Sequence, residues 1–183
     1  MSETATSKVL VLVGSLRAAS VNRLLAELAA EVAPEGVVLE RFDRLGDLPF
    51  YNEDLDTEDA PEPVVALREA AAAAGAALIV TPEYNGSVPG VLKNAIDWLS
   101  RPYGNSALKD KPAAVIGVAL GQYGGVWAHD ETRKTLGIAG PRIVDGLELS
   151  IPGASLDGKH PRENAEVTER LRDVIGKLVA EIG

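Results

Sequence analysis

The stretch VLVLVGSLRAASVN, Val9 to Asn22, decides how this chain is read. Its first five residues are an unbroken run of valine and leucine, the pattern of a strand buried on both faces. Strands of that kind belong to parallel sheets covered by helices on both sides. The run empties into a turn that holds Ser15, Arg17, Ser20 and Asn22. Leu24, Leu25, Leu28 and Val32 then recur at helical spacing until Pro34 and Gly36 stop them. That polar mix is odd for a simple connector. It suits a loop that grips something small and negatively charged at a helix N-terminus.

The alternation continues outward. Val37-Val-Leu39 begins a second strand, and an acidic, proline-bearing stretch from Asp43 to Pro63 reads as a solvated loop. Val64 to Ala74 is an alanine-rich helix stopped by Gly75. Ala76 to Val80 is a third strand running into Thr81-Pro-Glu-Tyr-Asn-Gly-Ser87. Pro89 suits the first turn of the next helix, whose apolar stripe is Val91, Leu92, Ala95, Ile96 and Leu99. Ala113 to Ala119 is a fourth strand, followed by GQYGG (Gly121 to Gly125) and a helix over Trp127 to Leu136. Ile143 to Leu149 makes a fifth strand, and Val167, Leu171, Val174, Ile175, Leu178 and Ile182 share one face of a last helix. Strand–helix alternation of this kind predicts α/β architecture: a three-layer sandwich around a five-stranded parallel sheet. The expected strand order is flavodoxin-like, 2-1-3-4-5. No linker or repeat interrupts the pattern, so residues 1–183 are expected to form one domain, with residues 1–7 disordered.

Composition narrows the function. The chain is 46% hydrophobic and 25% charged, ordinary for a soluble globular protein. A formal net charge of −9 argues against nucleic acid and anionic membrane surfaces as partners. With no cysteine, thiolate nucleophiles, disulfides and cysteine metal sites are excluded. His129 and His160 have no metal-ligand spacing, and no metal is expected. No apolar run is long enough for a bilayer, so membrane insertion is not expected. The polar stretch Met1 to Ser7 lacks a signal-peptide core, and the expected location is cytoplasmic.

In an open parallel sheet, ligands bind beyond the carboxyl ends of the strands where the strand order reverses. The loops leaving strands one, three and four are therefore the ones to read. In the first, helix N–H groups, the two serines, Asn22 and the planar fork of Arg17 suit a terminal phosphate. The same residues also suit an ordinary Ser20 N-cap beside an exposed arginine. The spacing is neither a dinucleotide glycine fingerprint nor a Walker lysine loop. In the second loop, Pro82, Glu83, Tyr84, Asn85 and Gly86 could lie along a flat ring and offer amide groups to its edge. Asn-Gly equally marks a plain turn; a helix follows it, so a hairpin is not expected. The glycines of the third loop, beginning at Gly121, allow backbone to approach a ligand, or simply make a flexible connector. His129 reads as a surface or packing residue, Trp98 and Trp127 as core or subunit-contact residues, and Asp97 as the surface partner of Lys93.

Together, GSLRAASVN, TPEYNGSVPGVLKNAIDWLSRP and GQYGG resemble the NADPH-dependent FMN reductase family, in order and spacing, from Val9 to Leu136. The resemblance implies a flavodoxin-like fold and a homodimer or homotetramer. It implies FMN as cofactor and NADPH or NADH as electron donor. Ser15, Arg17, Ser20 and Asn22 would hold the FMN phosphate, Pro82 to Gly86 would line the ring, and Gly121 would close its far edge. No residue is assigned to acid–base or nucleophilic catalysis. Many members carry a serine before the third loop; Val118-Ala119-Leu120 stands here, which removes a hydroxyl contact. The implied activity passes two electrons to a small-molecule acceptor of quinone, azo or oxyanion type. An FMN electron carrier that docks to protein partners is the alternative.

Overall fold

The computed structural model describes residues 7–183, so most of the stretch expected to be disordered lies outside the described residues. Ser7, included in that expectation, already belongs to the first strand. The elements in chain order are β1 (Ser7–Val13), α1 (Val21–Glu31), β2 (Val37–Arg41), α2 (Glu62–Ala73), β3 (Ala76–Val80), α3 (Gly90–Leu99), β4 (Pro112–Ala119), α4 (Val126–Ala139), β5 (Arg142–Pro152) and α5 (Ala165–Ala180). All strand pairs are parallel and the order is β2-β1-β3-β4-β5, the flavodoxin-like arrangement.

The period-2 alternation of strands divides the core into two layers. Val9, Val11 and Val13 of β1 point to one face with Leu78, Ile116 and Leu149, where α1 and α5 bring Leu25, Leu28, Leu171 and Ile175. Leu10 and Leu12 point to the other face with Ile79 and Val115, against Leu67 of α2, Leu92 and Trp98 of α3 and Leu136 of α4. Each of these side chains, buried in full, contributes about 1.5–3 kcal/mol of transfer free energy.

Two regions differ from expectation. β5 runs from Arg142 to Pro152, longer than Ile143 to Leu149, and it is not regular. Ala113 pairs with Ile143 but Val115 pairs with Glu148, so extra residues loop out of β5 around Gly146, whose φ is +76°. The 43–63 stretch is only partly solvated. Leu45 and Leu48 are buried against the α3 face, Tyr51 stacks edge-on to Trp98 at 4.9 Å, and both Asn94 and Trp98 donate to the Pro49 carbonyl. Trp98 is thus a core residue, as read from the sequence, and Lys93 pairs with Asp97 at 2.7 Å.

Candidate functional site

β1 and β3 lie side by side where the strand order reverses, so the connections leaving them, through α1 and α3, run to opposite faces of the sheet and open a crevice at its carboxyl edge. A cavity of about 570 Å³ lies there. That is within the roughly 300–1,000 Å³ usual for small-molecule sites. Its wall combines Ser15, Arg17, Ser20 and Asn22 from the β1–α1 loop, Pro82, Glu83 and Tyr84 from the β3–α3 loop, and Gly121 from the β4–α4 loop. Arg17 and Tyr84 therefore face one space. Asn85 and Gly86 are not on that wall.

The β1–α1 loop keeps its polar groups uncommitted. Ser20 occupies the N-cap position of α1 with extended backbone (φ −76°, ψ 127°), yet its side chain makes no capping bond. Its hydroxyl is left for the cavity, as are the first-turn N–H groups of Val21 and Asn22, which have no intrahelical acceptor by position. The exposed Arg17 guanidinium donates to the Ala19 carbonyl at 3.1 Å and, among the described residues, pairs with no carboxylate. In a chain this acidic, an arginine on a cavity wall beside a helix N-terminus, with no carboxylate partner among the described residues, has the chemistry that suits an anion.

Asn22 does something else with its side chain. Its Nδ2 donates to the Val118 carbonyl at 2.9 Å and its Oδ1 accepts from the Val118 N–H at 2.8 Å. This buried pair of bonds ties the start of α1 to β4 and commits both polar atoms of the Asn22 amide within the protein.

The β3–α3 loop is the opposite case. Tyr84 and Ser87 exchange both backbone hydrogen bonds, at 3.2 and 3.1 Å, and form an antiparallel bridge. Asn85 (φ +53°) and Gly86 (φ +72°) are the two central residues, which makes a type I′ turn. Asn-Gly is thus a tight turn, as read, closed by a single bridge; no strand flanks it, and α3 follows. The start of α4 holds this loop from the side. Glu83 accepts from the Ala128 N–H at 3.1 Å, and Glu131 accepts from the Ser87 hydroxyl at 2.5 Å and the Val88 N–H at 3.0 Å. Those donors hold the Glu131 carboxyl below its ordinary pKa of 4.5. His129, fully buried, is a packing residue as read. Trp127 is not core: it is 58% exposed, beside Tyr123 at 5.9 Å.

A Cβ built on Gly121 meets no protein atom within 4 Å, so the backbone there lies open to the cavity. That open backbone, together with the uncommitted Ser20 hydroxyl and Arg17, fits a flat ligand with an anionic tail. The sequence reading missed Lys159, which also lines the cavity. It arrives because the β5–α5 connection packs on α1, where Arg162 pairs with Glu31 at 2.6 Å. The left-handed pair Asp157-Gly158 just before it was the only local signal.

Comparison with known proteins adds a family. The model of a family described as NADPH-dependent FMN reductase matches residues 7–155. A quinone reductase of Pseudomonas putida is 49% identical over 150 residues, covering 82% of this chain and 77% of that one. A 2-hydroxy-1,4-benzoquinone reductase of a Burkholderia species is 47% identical over 126 residues, covering 69% and 68%. Among solved structures, FerB, a flavoenzyme NAD(P)H:(acceptor) oxidoreductase of Paracoccus denitrificans, superposes with a TM-score of 0.85 at 37% identity, covering 96% of this chain and 97% of that one.

Proposed function

Because this chain belongs to the NADPH-dependent FMN reductase family, an oxidoreductase family, we propose that it binds FMN in the cavity at the carboxyl edge of its sheet and reduces quinones at the expense of NADPH or NADH. The observation that carries this reading is Arg17. It is a cation without a carboxylate partner among the described residues, on the same wall as an uncapped Ser20 hydroxyl and the N-terminus of α1.

When bound, FMN supplies the redox chemistry, taking two electrons from a nicotinamide and passing them to the acceptor. The residues of the chain bind and orient. Arg17 offers its fork to the phosphate as charge-assisted hydrogen bonds, with Ser15, Ser20 and the first-turn N–H groups of α1 completing the cradle. Lys159 adds positive charge at the rim. Pro82, Glu83 and Tyr84 form a ledge for the ring, and Gly121 leaves room for the ring's edge. Asn85 and Gly86 shape that ledge by closing the turn behind Tyr84. No side chain is required to act as nucleophile.

Quinones are favoured as acceptors because both curated relatives named above are quinone reductases. Azo compounds and metal oxyanions are secondary members of the proposed acceptor set. The reading includes a homodimer or homotetramer, for which the exposed Tyr103, Trp127 and Ile138 supply apolar surface, and a cytoplasmic location. Among the described residues, no helix is long and apolar enough to cross a membrane. The test is anaerobic titration with NADPH and then NADH, followed by steady-state rates with a quinone, an azo dye and chromate. A yellow FMN-loaded protein that is bleached by the nicotinamide and recoloured by the quinone is expected. A protein that cannot be loaded with FMN, or that is never bleached, defeats the reading.

A further inference from the structure

His129 sits directly beneath the β3–α3 loop, near the N-terminal end of α4. Its ring is buried, with Nε2 at 3.0 Å from the Thr81 carbonyl oxygen and Nδ1 at 2.7 Å from the Ser150 hydroxyl. A carbonyl oxygen only accepts, so Nε2 carries the proton and donates to Thr81, while Nδ1 accepts from the Ser150 hydroxyl. One imidazole therefore joins α4 to the end of β3 and to β5.

Two glycines make the room for it. A Cβ on Gly117 would stand 2.7 Å from Nε2 and 1.9 Å from the Thr81 carbonyl oxygen. A Cβ on Gly125 would stand 3.2 Å from Nε2. β4 and the turn into α4 both lack a side chain at the point where the ring reaches the Thr81 carbonyl. Thr81 is also where the chain leaves β3 for the Pro82–Tyr84 ledge of the cavity.

We propose that His129 is a positioning residue: as its Nε2–H tautomer it fixes the Thr81 carbonyl, and through it the ledge that Pro82, Glu83 and Tyr84 present to the flavin ring. The proposal rests on the FMN reading above. The contacts of Glu83 with Ala128, and of Glu131 with Ser87 and Val88, hold the loop from its exposed side. His129 holds it from below, where water cannot replace a lost partner. The charged groups around the ring are Arg133, which opposes a charged imidazole, and Glu83 and Asp130, which favour one. Burial outweighs the two carboxylates and pushes the imidazole below its ordinary pKa of 6.5, which keeps the accepting Nδ1 free of a proton.

The chain has only two histidines, so ¹⁵N NMR of the imidazole nitrogens reads the tautomer directly, with H129Q as the assignment control. At pH 7 an uncharged ring with Nε2–H is expected. A charged ring or an Nδ1–H tautomer overturns the proposal. FMN affinity of wild type, H129L and H129Q is then measured by flavin fluorescence quenching. H129L leaves the Thr81 carbonyl unpaired and is expected to bind FMN about tenfold more weakly. Glutamine carries an amide donor to the position of Nε2, and H129Q is expected to recover most of that loss. Wild-type affinity in H129L, or an H129Q as weak as a folded H129L, overturns the proposal. Should H129L fail to fold, the tautomer and H129Q decide: an H129Q that folds but binds FMN tenfold more weakly than wild type overturns it. A wild type that binds no FMN overturns the flavin reading and the proposal with it, and an Nε2–H signal then marks the failure as one of ligand rather than geometry.

Discussion

The β1–α1 and β3–α3 loops face the same cavity and are built on opposite plans. In the first, Arg17 and Ser20 have almost nothing to do within the protein: one weak contact to the Ala19 carbonyl, and no capping bond. In the second, polar groups are held from within the chain. Tyr84 and Ser87 bond each other, Glu83 reaches Ala128 of α4, Glu131 of α4 reaches back to Ser87, and Thr81 is fixed by His129. The first loop is chemistry held ready for a ligand; the second is shape. A substitution in the first should change binding without changing stability, and one among the contacts that brace the pocket should change stability as well.

Asn22 gives the largest expected effect, because it belongs to the first loop by sequence and to the bracing by contact. In N22L, a near-isosteric side chain leaves the buried N–H and C=O of Val118 without partners. Each unsatisfied group costs about 1–3 kcal/mol, so a loss of about 2–6 kcal/mol in denaturant unfolding is expected. A stability change under 0.5 kcal/mol would put Asn22 with Arg17 and Ser20 and break the contrast.

Ser20 is the converse. A serine that caps a helix loses about 1 kcal/mol of stability on truncation to alanine. Here no capping bond exists, so S20A is expected to melt within about 2 °C of wild type while its FMN affinity falls by about fivefold. A clear drop in melting temperature with unchanged affinity would make Ser20 structural after all.

The smallest effects are those of pH, and both come from the braced side. His129 has its pKa lowered in the folded protein, so the unfolded chain binds more protons below pH 6.5. Its contribution is complete above that pH and declines as the pH falls from there toward the folded value. Glu131, also lowered, contributes fully above its ordinary 4.5, and that contribution is lost as the pH drops through the folded value. Thermal melts from pH 8 down to about 2.5 should therefore fall in two steps. H129Q should remove the first step and E131Q should reduce the second, which Asp43 and Glu62, also lowered by arginine partners, share; a curve unchanged by either substitution would mean that α4 does not brace the loop.

The fold was legible because it is written in short-range periodicity. The VLVLV run, the alanine-rich α2 and the α5 stripe each announce an element, and the alternation of elements leads to the sheet order. Three cavity loops were legible by the same logic, since strand ends in a parallel sheet converge. What escaped depends on partners far away in sequence. Asn22 chooses Val118, 96 positions on, over a ligand. Lys159 reaches the cavity only because its connection folds back on α1. His129 is recognisable as a brace only once Gly117 and Gly125 are seen to surround it. The extra residues of β5 are set by register against β4, and nothing in Ile143 to Leu149 betrays them except Gly146.

The phosphate end of the cavity is tested most directly by titrating wild type and R17A with FMN and with riboflavin, the same ring system without the phosphate. Charge-assisted hydrogen bonds contribute about 1.5–3 kcal/mol each, so wild type is expected to prefer FMN by about a hundredfold or more. In R17A that preference should shrink by at least about tenfold, with riboflavin affinity and melting temperature unchanged because Arg17 is exposed and touches only the Ala19 carbonyl. An R17A protein that keeps the full preference for FMN, or a wild type that binds both flavins equally, would contradict the placement of the phosphate at Arg17.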